Sequence, residues 1–306
     1  MRIVVSGGTG VIGRAAVPAL VAEGHDVSVV SRSDTSAECA VRLGAAAVPG
    51  DLFDPEALAH AFEGAEAVVN LASGMPTGYR AARRAAWRRH DALRTTGVGN
   101  VVAAARSAGV RRVVQNSASY LYADHGDDWV NEQSPLEITP ATEPLAVAEA
   151  HVQDYACDSR VGVILRLGRL VGDDPMTRRR LRAARRGRPV GVGSSQAWTH
   201  LLHTDDVGSA VVAALHAPSG IYNVGAQPVQ QHDVVRAYAQ VAGADDLGFM
   251  GPVLRRVAGS RLEPLARSLR VCSDHYAAHT GWAPTRPEFD ASWLDVAVDD
   301  VLAGAG

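Results

Sequence analysis

The chain has 306 residues, 47% hydrophobic and 21% charged, with 30 basic and 33 acidic side chains and a formal charge of −3. That is enough chain to bury a full core, and the balance gives no general pull towards nucleic acid or an anionic membrane. All 30 basic residues are arginine; the missing lysine matters below.

Apolar runs alternate with helical spacing through the first half. Arg2–Ser6 reads as a strand, Val11–Glu23 as a helix ending at Gly24, and Asp26–Ser31 as a second strand. Glu38–Leu43 is a short helix, Ala46–Val48 a third strand and Pro55–Glu63 a helix. Ala67–Leu71 is a strand and Tyr79–Ala108 a long helix. Arg112–Asn116, the helix Leu145–Asp158 and the strand Gly162–Arg166 complete the series. Strands separated by helices of this length predict βαβ units: an α/β Rossmann-type, doubly wound parallel sheet covered on both faces.

After Leu170 the rhythm changes. A basic helix Met176–Arg186, a strand-like Trp198–His203, a helix Asp205–Ala217 and a strand Tyr222–Val224 follow. Helices are expected at Gln231–Ala242, Asp274–Thr280 and Ala291–Leu302. The expected division is a dinucleotide-binding domain over 1–170, with 199–225 returning to the sheet, and a smaller substrate lobe from 171–198 and 226–306. Such a lobe would cover the strand ends, where open α/β sheets bind ligands.

Cys39, Cys157 and Cys272 are scattered and odd in number, which fits idle thiols in a reducing compartment. The first strand runs straight into a glycine turn, so no secretory leader is expected. No apolar run reaches the ~18 residues a membrane span requires. The expectation is a cytoplasmic chain with no membrane, nucleic-acid or metal partner, acting as a monomer or homodimer. The arginine-rich faces, Arg80 to Arg89 around Trp87 and Arg178 to Arg188, read as solvated surfaces.

Ser6-Gly7-Gly8-Thr9-Gly10-Val11-Ile12-Gly13 follows a strand and opens a helix. Gly7 permits the tight turn, Gly10 lets a pyrophosphate approach the backbone, and Gly13 lets the helix pack on the strand. The N-terminus of that helix then offers free N–H groups to the phosphates. Candidate contacts are Gly7, Thr9, Gly10, Val11, Ile12 and Gly13. An NAD site usually carries an acidic residue about twenty residues on, for the ribose 2′-hydroxyl. Here the end of the second strand is Ser31-Arg32-Ser33, and the Arg32 fork suits a 2′-phosphate. The expected cofactor is NADP(H).

With these residues the chain resembles the short-chain dehydrogenase/reductases of extended or atypical type, the NAD-dependent epimerase/dehydratase group. Gly50-Asp51-Leu52-Phe53-Asp54-Pro55 matches a segment whose Asp and next residue contact adenine, which implies Asp51 and Leu52. Asn70-Leu71-Ala72-Ser73 stands where family members line the ribose, implying Leu71, Ala72 and Ser73. The stretches Val113–Tyr122 (with Asn116 towards the cofactor), Ile164–Gly172, His203–Val207 and Tyr222–Gly225 match further landmarks.

The resemblance implies a serine and a tyrosine that hold the reacting oxygen, and a lysine that lowers the tyrosine pKa. The matching segment is Pro144-Leu145-Ala146-Val147-Ala148-Glu149, with Leu145 for the tyrosine and Glu149 for the lysine; Ala118, between Ser117 and Ser119, stands for the serine. Weak substitutes are Ser117, Ser119 and Tyr120, with Tyr122, Asp124 and His125 nearby. Candidate substrate contacts are Ser119, Tyr120, Met75 and Arg169.

A ketone already hydrogen-bonded to its neighbouring phenol needs little acid help, and aromatic polyketides carry such ketones. The overall look is similar to the angucyclinone ketoreductases of polyketide antibiotic pathways, of the simocyclinone type. That implies NADPH-dependent reduction of a small polyphenolic ketone with carbonyl activation by the substrate. The other readings are a non-catalytic NADP-binding regulator, a redox-neutral cyclase or dehydratase, and a nucleotide-sugar enzyme.

Overall fold

The computed structural model describes residues 1–76, 83–251 and 261–295. Seven parallel strands form its central sheet: β1 Arg2–Ser6, β2 Asp26–Ser31, β3 Ala46–Pro49, β4 Ala67–Asn70, β5 Arg112–Ala118, β6 Val161–Leu167 and β7 Gly220–Val224. Their spatial order is β7-β6-β5-β4-β1-β2-β3. The order reverses between β1 and β4, which are paired with Ile3 beside Ala67 and Ser6 beside Asn70. Such a reversal is the switch point where open α/β sheets hold their ligands, beyond the carboxyl ends of the strands.

Burial on both faces explains the unbroken apolar strands. On one face α1 (Val11–Ala22) and α8 (Asp206–Ala214) pack Val17, Leu20, Val207 and Val211 onto Ile3, Val5 and Val29. On the other, α3 (Pro55–Ala61), α5 (Val98–Ser107) and α6 (Glu143–Tyr155) pack Leu58, Val101 and Val152 onto Val4, Val68 and Val113.

Local signals set the helix starts. Ser33 accepts the Ser36 N–H at 3.3 Å, so α2 runs Asp34–Arg42 and begins four residues earlier than its apolar pattern indicates. Asp54 caps α3 by accepting the Ala57 N–H at 3.0 Å, with Pro55 at the first helical position. The expected helix Tyr79–Ala108 begins in residues outside the described set. Within it, α4 covers Arg84–Ala92 and a π-turn, Leu93–Gly97, joins it to α5. The extra residue in that turn shifts the helix phase and carries Arg94 into the interior, where it is only 3% exposed.

A second core sits over the strand ends. It joins α7 (Pro175–Ala184), α9 (Gln231–Ala242) and Trp293 through Leu181, Val234 and Tyr238. Trp198–His203, expected as one strand, divides at His200. Trp198–Thr199 pairs antiparallel with Val229–Gln230, whereas Leu201–His203 pairs parallel with Arg169–Val171. Ala291–Leu294 is a short 3-10 turn; residues 296–302 of the helix expected there lie outside the described set.

The segment from Arg267 onward ties down the loop after β5. Arg267 Nη1 donates to the carbonyls of Tyr122 at 2.8 Å and Glu137 at 3.1 Å. The Ser268 N–H donates to Asp124, and Arg270–Val271 adds as a strand to Trp129–Val130. The α10 helix, Asp274–Thr280, then packs its Tyr276 into the first core. Among the described residues no helix is long and apolar enough to cross a membrane.

Candidate functional site

The turn from β1 into α1 is shaped for close approach. Gly7 has φ 75°, a left-handed conformation that favours glycine, and a Cβ on it would lie 2.5 Å from the Ala72 nitrogen. The glycine loop therefore rests directly on Leu71-Ala72-Ser73. A Cβ on Gly13 would overlap Gly7 O and Gly8 Cα. Gly10 precedes α1 with no side-chain cap, which leaves the first N–H groups of the helix without a side-chain partner just after β1. This cradle fits a dinucleotide pyrophosphate.

Arg32 and Asp51 meet at the far end of the cradle. Their closest atoms are 3.9 Å apart and both side chains are well exposed, so the pair contributes little and the guanidinium is free to turn to a ligand. Leu52 is buried, and its carbonyl accepts from Asn100 Nδ2 at 2.8 Å. Arg32→Ala is expected to weaken NADPH binding about 10- to 150-fold, the loss of charged hydrogen bonds, and to leave NADH binding nearly unchanged. Parallel titration of both dinucleotides checks this; equal losses for the two would remove the role given to Arg32.

At the ends of β4 and β5 a polar frame holds the backbone. Asn70 Nδ2 donates to Gln115 Oε1 at 2.8 Å, and Gln115 Nε2 donates to the Asn116 carbonyl at 2.8 Å. Arg94 Nη1 donates to both the carbonyl and Oδ1 of Asn116. Asn116 is thus bound into the sheet edge. The imidazole of His90 donates to the Ser73 carbonyl, and burial with the charge of Arg94 pulls its pKa to about 4.

Positions 145 and 149, where the resemblance implies a tyrosine and a lysine, hold a leucine and a paired glutamate. In α6, Leu145, Ala148, Glu149 and Val152 form the buried stripe. Glu149 receives two bonds from Arg166, Nε to Oε1 at 3.0 Å and Nη2 to Oε2 at 2.7 Å, and a third from Ser117 Oγ at 2.5 Å. The Arg166 guanidinium lies 4.8 Å from the centre of the Tyr122 ring. Tyr122 donates to Asn223 Oδ1 at 2.8 Å, and burial raises its pKa to about 12 against the pull of Arg166. Ser117 and Tyr122 are structural partners here. Sequence reasoning missed Arg166 and Arg94. A glutamate inside the apolar stripe of α6 facing an arginine inside a wholly buried strand was the available signal for the first; the π-turn left no signal for the second.

Ser119, Tyr120 and Arg169 share the wall of a cavity of about 20 Å³ with Trp198, His200 and Arg267. Burial pushes the Tyr120 phenol up, against Arg94 and Arg261, which makes it a poorer proton donor. Arg169 is part-buried, and its Nε is sealed from solvent without a hydrogen-bond partner. Burial, reinforced by Arg180 and opposed by Tyr238, lowers its pKa to about 9. Met75 is 43% exposed and is not part of this wall.

Comparison with known proteins agrees with this architecture. Residues 3–225 match the NAD dependent epimerase/dehydratase family, and the chain belongs to it. It is 32% identical over 312 residues to a 3-diazoavenalumate denitrifying reductase of a Streptomyces species, covering 96% of this chain and 98% of that one. It is 35% identical over 152 residues to the 4-hydroxy-2-methyl-3-oxo-4-farnesyl-3,4-dihydroquinoline-1-oxide ketoreductase of Stigmatella aurantiaca, covering 49% of this chain and 44% of the other. In fold it is similar to the UDP-glucose 4-epimerase of Thermus thermophilus in complex with NAD, with a TM-score of 0.77, 24% identity and both chains covered completely. Family and relatives together make this chain an oxidoreductase of the reductase type.

Proposed function

We propose that this protein is an NADPH-dependent reductase that delivers hydride to a phenolic aromatic compound whose electrophile is activated by the substrate itself. The observation that carries this reading is the construction on α6. Leu145 stands in place of a tyrosine, and Glu149 is consumed by Arg166 and Ser117. When bound, the dinucleotide supplies the hydride. The glycine cradle holds its pyrophosphate, Arg32 its 2′-phosphate, and Ser119 with Tyr120 orients the substrate. A positioned general acid contributes about 10²–10⁴-fold, and a self-activated electrophile dispenses with it.

An ortho-diazophenol meets this condition, because the leaving nitrogens already carry positive charge. One hydride and one proton enter, the aryl C–N bond is replaced by C–H, and N2 leaves. The proton ends on the phenolate oxygen, and water is an adequate source for it. The relative named a 3-diazoavenalumate denitrifying reductase supports a diazo substrate. The second reading is a polyketide ketone hydrogen-bonded to its own phenol. There the phenol proton moves to the oxygen as hydride reaches the carbon, and the local likeness to a ketoreductase supports it.

The test combines NADPH with simple ortho-diazophenols and ortho-hydroxyaryl ketones, following cofactor oxidation and N2 release. Ser119→Ala and Tyr120→Phe are expected to retain turnover to within about tenfold, well short of the loss of a general acid. If either abolishes turnover with NADPH binding intact, the protein supplies the acid and this reading is wrong.

A further inference from the structure

The cavity under Ser119 and Tyr120 contains a cation with nothing to pair it. No carboxylate of the described residues forms an ion pair with Arg169, and its Nε has no hydrogen-bond partner. Sealing the Nε of this part-buried guanidinium from solvent without a partner is costly, and its fork suits a planar two-oxygen anion. The second guanidinium in the wall differs. Arg267 is already matched by Glu263, through bonds of 2.8 Å from Nε and Nη2, with Glu137 beside it.

His200, only 2% exposed, lines the same cavity, and its Nδ1 also lacks a partner. Burial keeps the ring neutral, with a pKa of about 3. Ser273 Oγ lies 3.3 Å from Nε2; with that hydroxyl donating, Nδ1 carries the proton and is a free donor. Gly225 makes room for the ring, since a Cβ there would overlap it. At about 20 Å³ the space admits a small polar head and excludes an aromatic ring.

We propose that this cavity seats a carboxylate of the substrate, held by Arg169 and by Nδ1 of His200, so that the enzyme takes phenolic acids in preference to neutral phenols. The proposal rests on the reading that a phenolic compound is reduced at this site. It makes Arg169 the specificity-determining residue, because that side chain carries the positive charge left unmatched in the wall.

Calorimetric titration of the NADP⁺-bound enzyme with 4-hydroxycinnamate and with its methyl ester tests the seat without requiring turnover. The acid is expected to bind at least about tenfold more tightly than the ester, the scale of a charged hydrogen bond. Arg169→Gln and Arg169→Ala are expected to erase that preference, with NADP⁺ affinity and thermal midpoint retained. Equal binding of acid and ester by the unaltered enzyme, binding of neither at millimolar concentration, or a preference that survives in a folded Arg169→Gln variant overturns the proposal. If the Arg169 variants do not fold, the acid–ester comparison decides alone. Carboxylate binding without reduction of any diazophenol or ketone would sink the proposed reaction and leave the seat standing. Turnover with no preference for acids would sink only the seat.

Discussion

Glu149→Ala is expected to destabilise the fold by about 3–5 kcal/mol, because it strands a buried arginine. Both partners are almost wholly enclosed, Glu149 at 3% and Arg166 at 2% exposure. Removing the carboxylate takes three hydrogen bonds at once and leaves the guanidinium facing Tyr122 and the interior. In the intact protein, burial lowers the Arg166 pKa, but the bonds and charge of Glu149 more than offset this and the net shift is upward. Glu149→Gln keeps the shape and most of the donors' partners and should cost less than the alanine. Glu149→Leu with Arg166→Met removes both charges and should recover much of the loss. Urea unfolding of the four proteins measures the series. A Glu149→Ala midpoint equal to that of the parent would show that the ion pair does not support the fold.

Gly13→Ala is expected to weaken NADPH binding about 5- to 150-fold, corresponding to the roughly 1–3 kcal/mol typical of overpacking. The added methyl would overlap the carbonyl of Gly7 and the backbone of Gly8. No flexible side-chain end is available to move aside, so the loop itself must shift. That displaces the N–H groups proposed to hold the pyrophosphate and the contact of Gly7 with Ala72. Fluorescence titration of NADPH, alongside a thermal scan to show that the sheet persists, checks the prediction. Unchanged affinity in a folded variant would place the pyrophosphate away from this turn.

The frame of the fold was legible because its residues speak locally. The strands of the sheet are short apolar runs, and the glycine turn announces the first βα unit. Boundaries were less legible where a cap outweighs periodicity, as at Ser33, or where two halves of a run choose different partners, as on either side of His200. The candidate site was legible along the loops and illegible where it depends on contacts far apart in the chain. The replacement at position 149 could be read, but its bonds to Ser117, 32 residues away, and Arg166, 17 residues away, arise only when α6 lies across β5 and β6. Arg94 was not singled out, because the π-turn that buries it has no composition of its own.

The strap formed by Arg267, Ser268 and Arg270–Val271 has a consequence for biogenesis. All seven strands of the sheet precede Gly225, whereas the residues that fix the loop after β5 are made later, from Arg267 onward. The same late stretch supplies Tyr276 and Trp282 to the first core, so the sheet is fully packed only when the strap is also in place. The loop after β5 is therefore fastened only once the residues beyond 261 have been made.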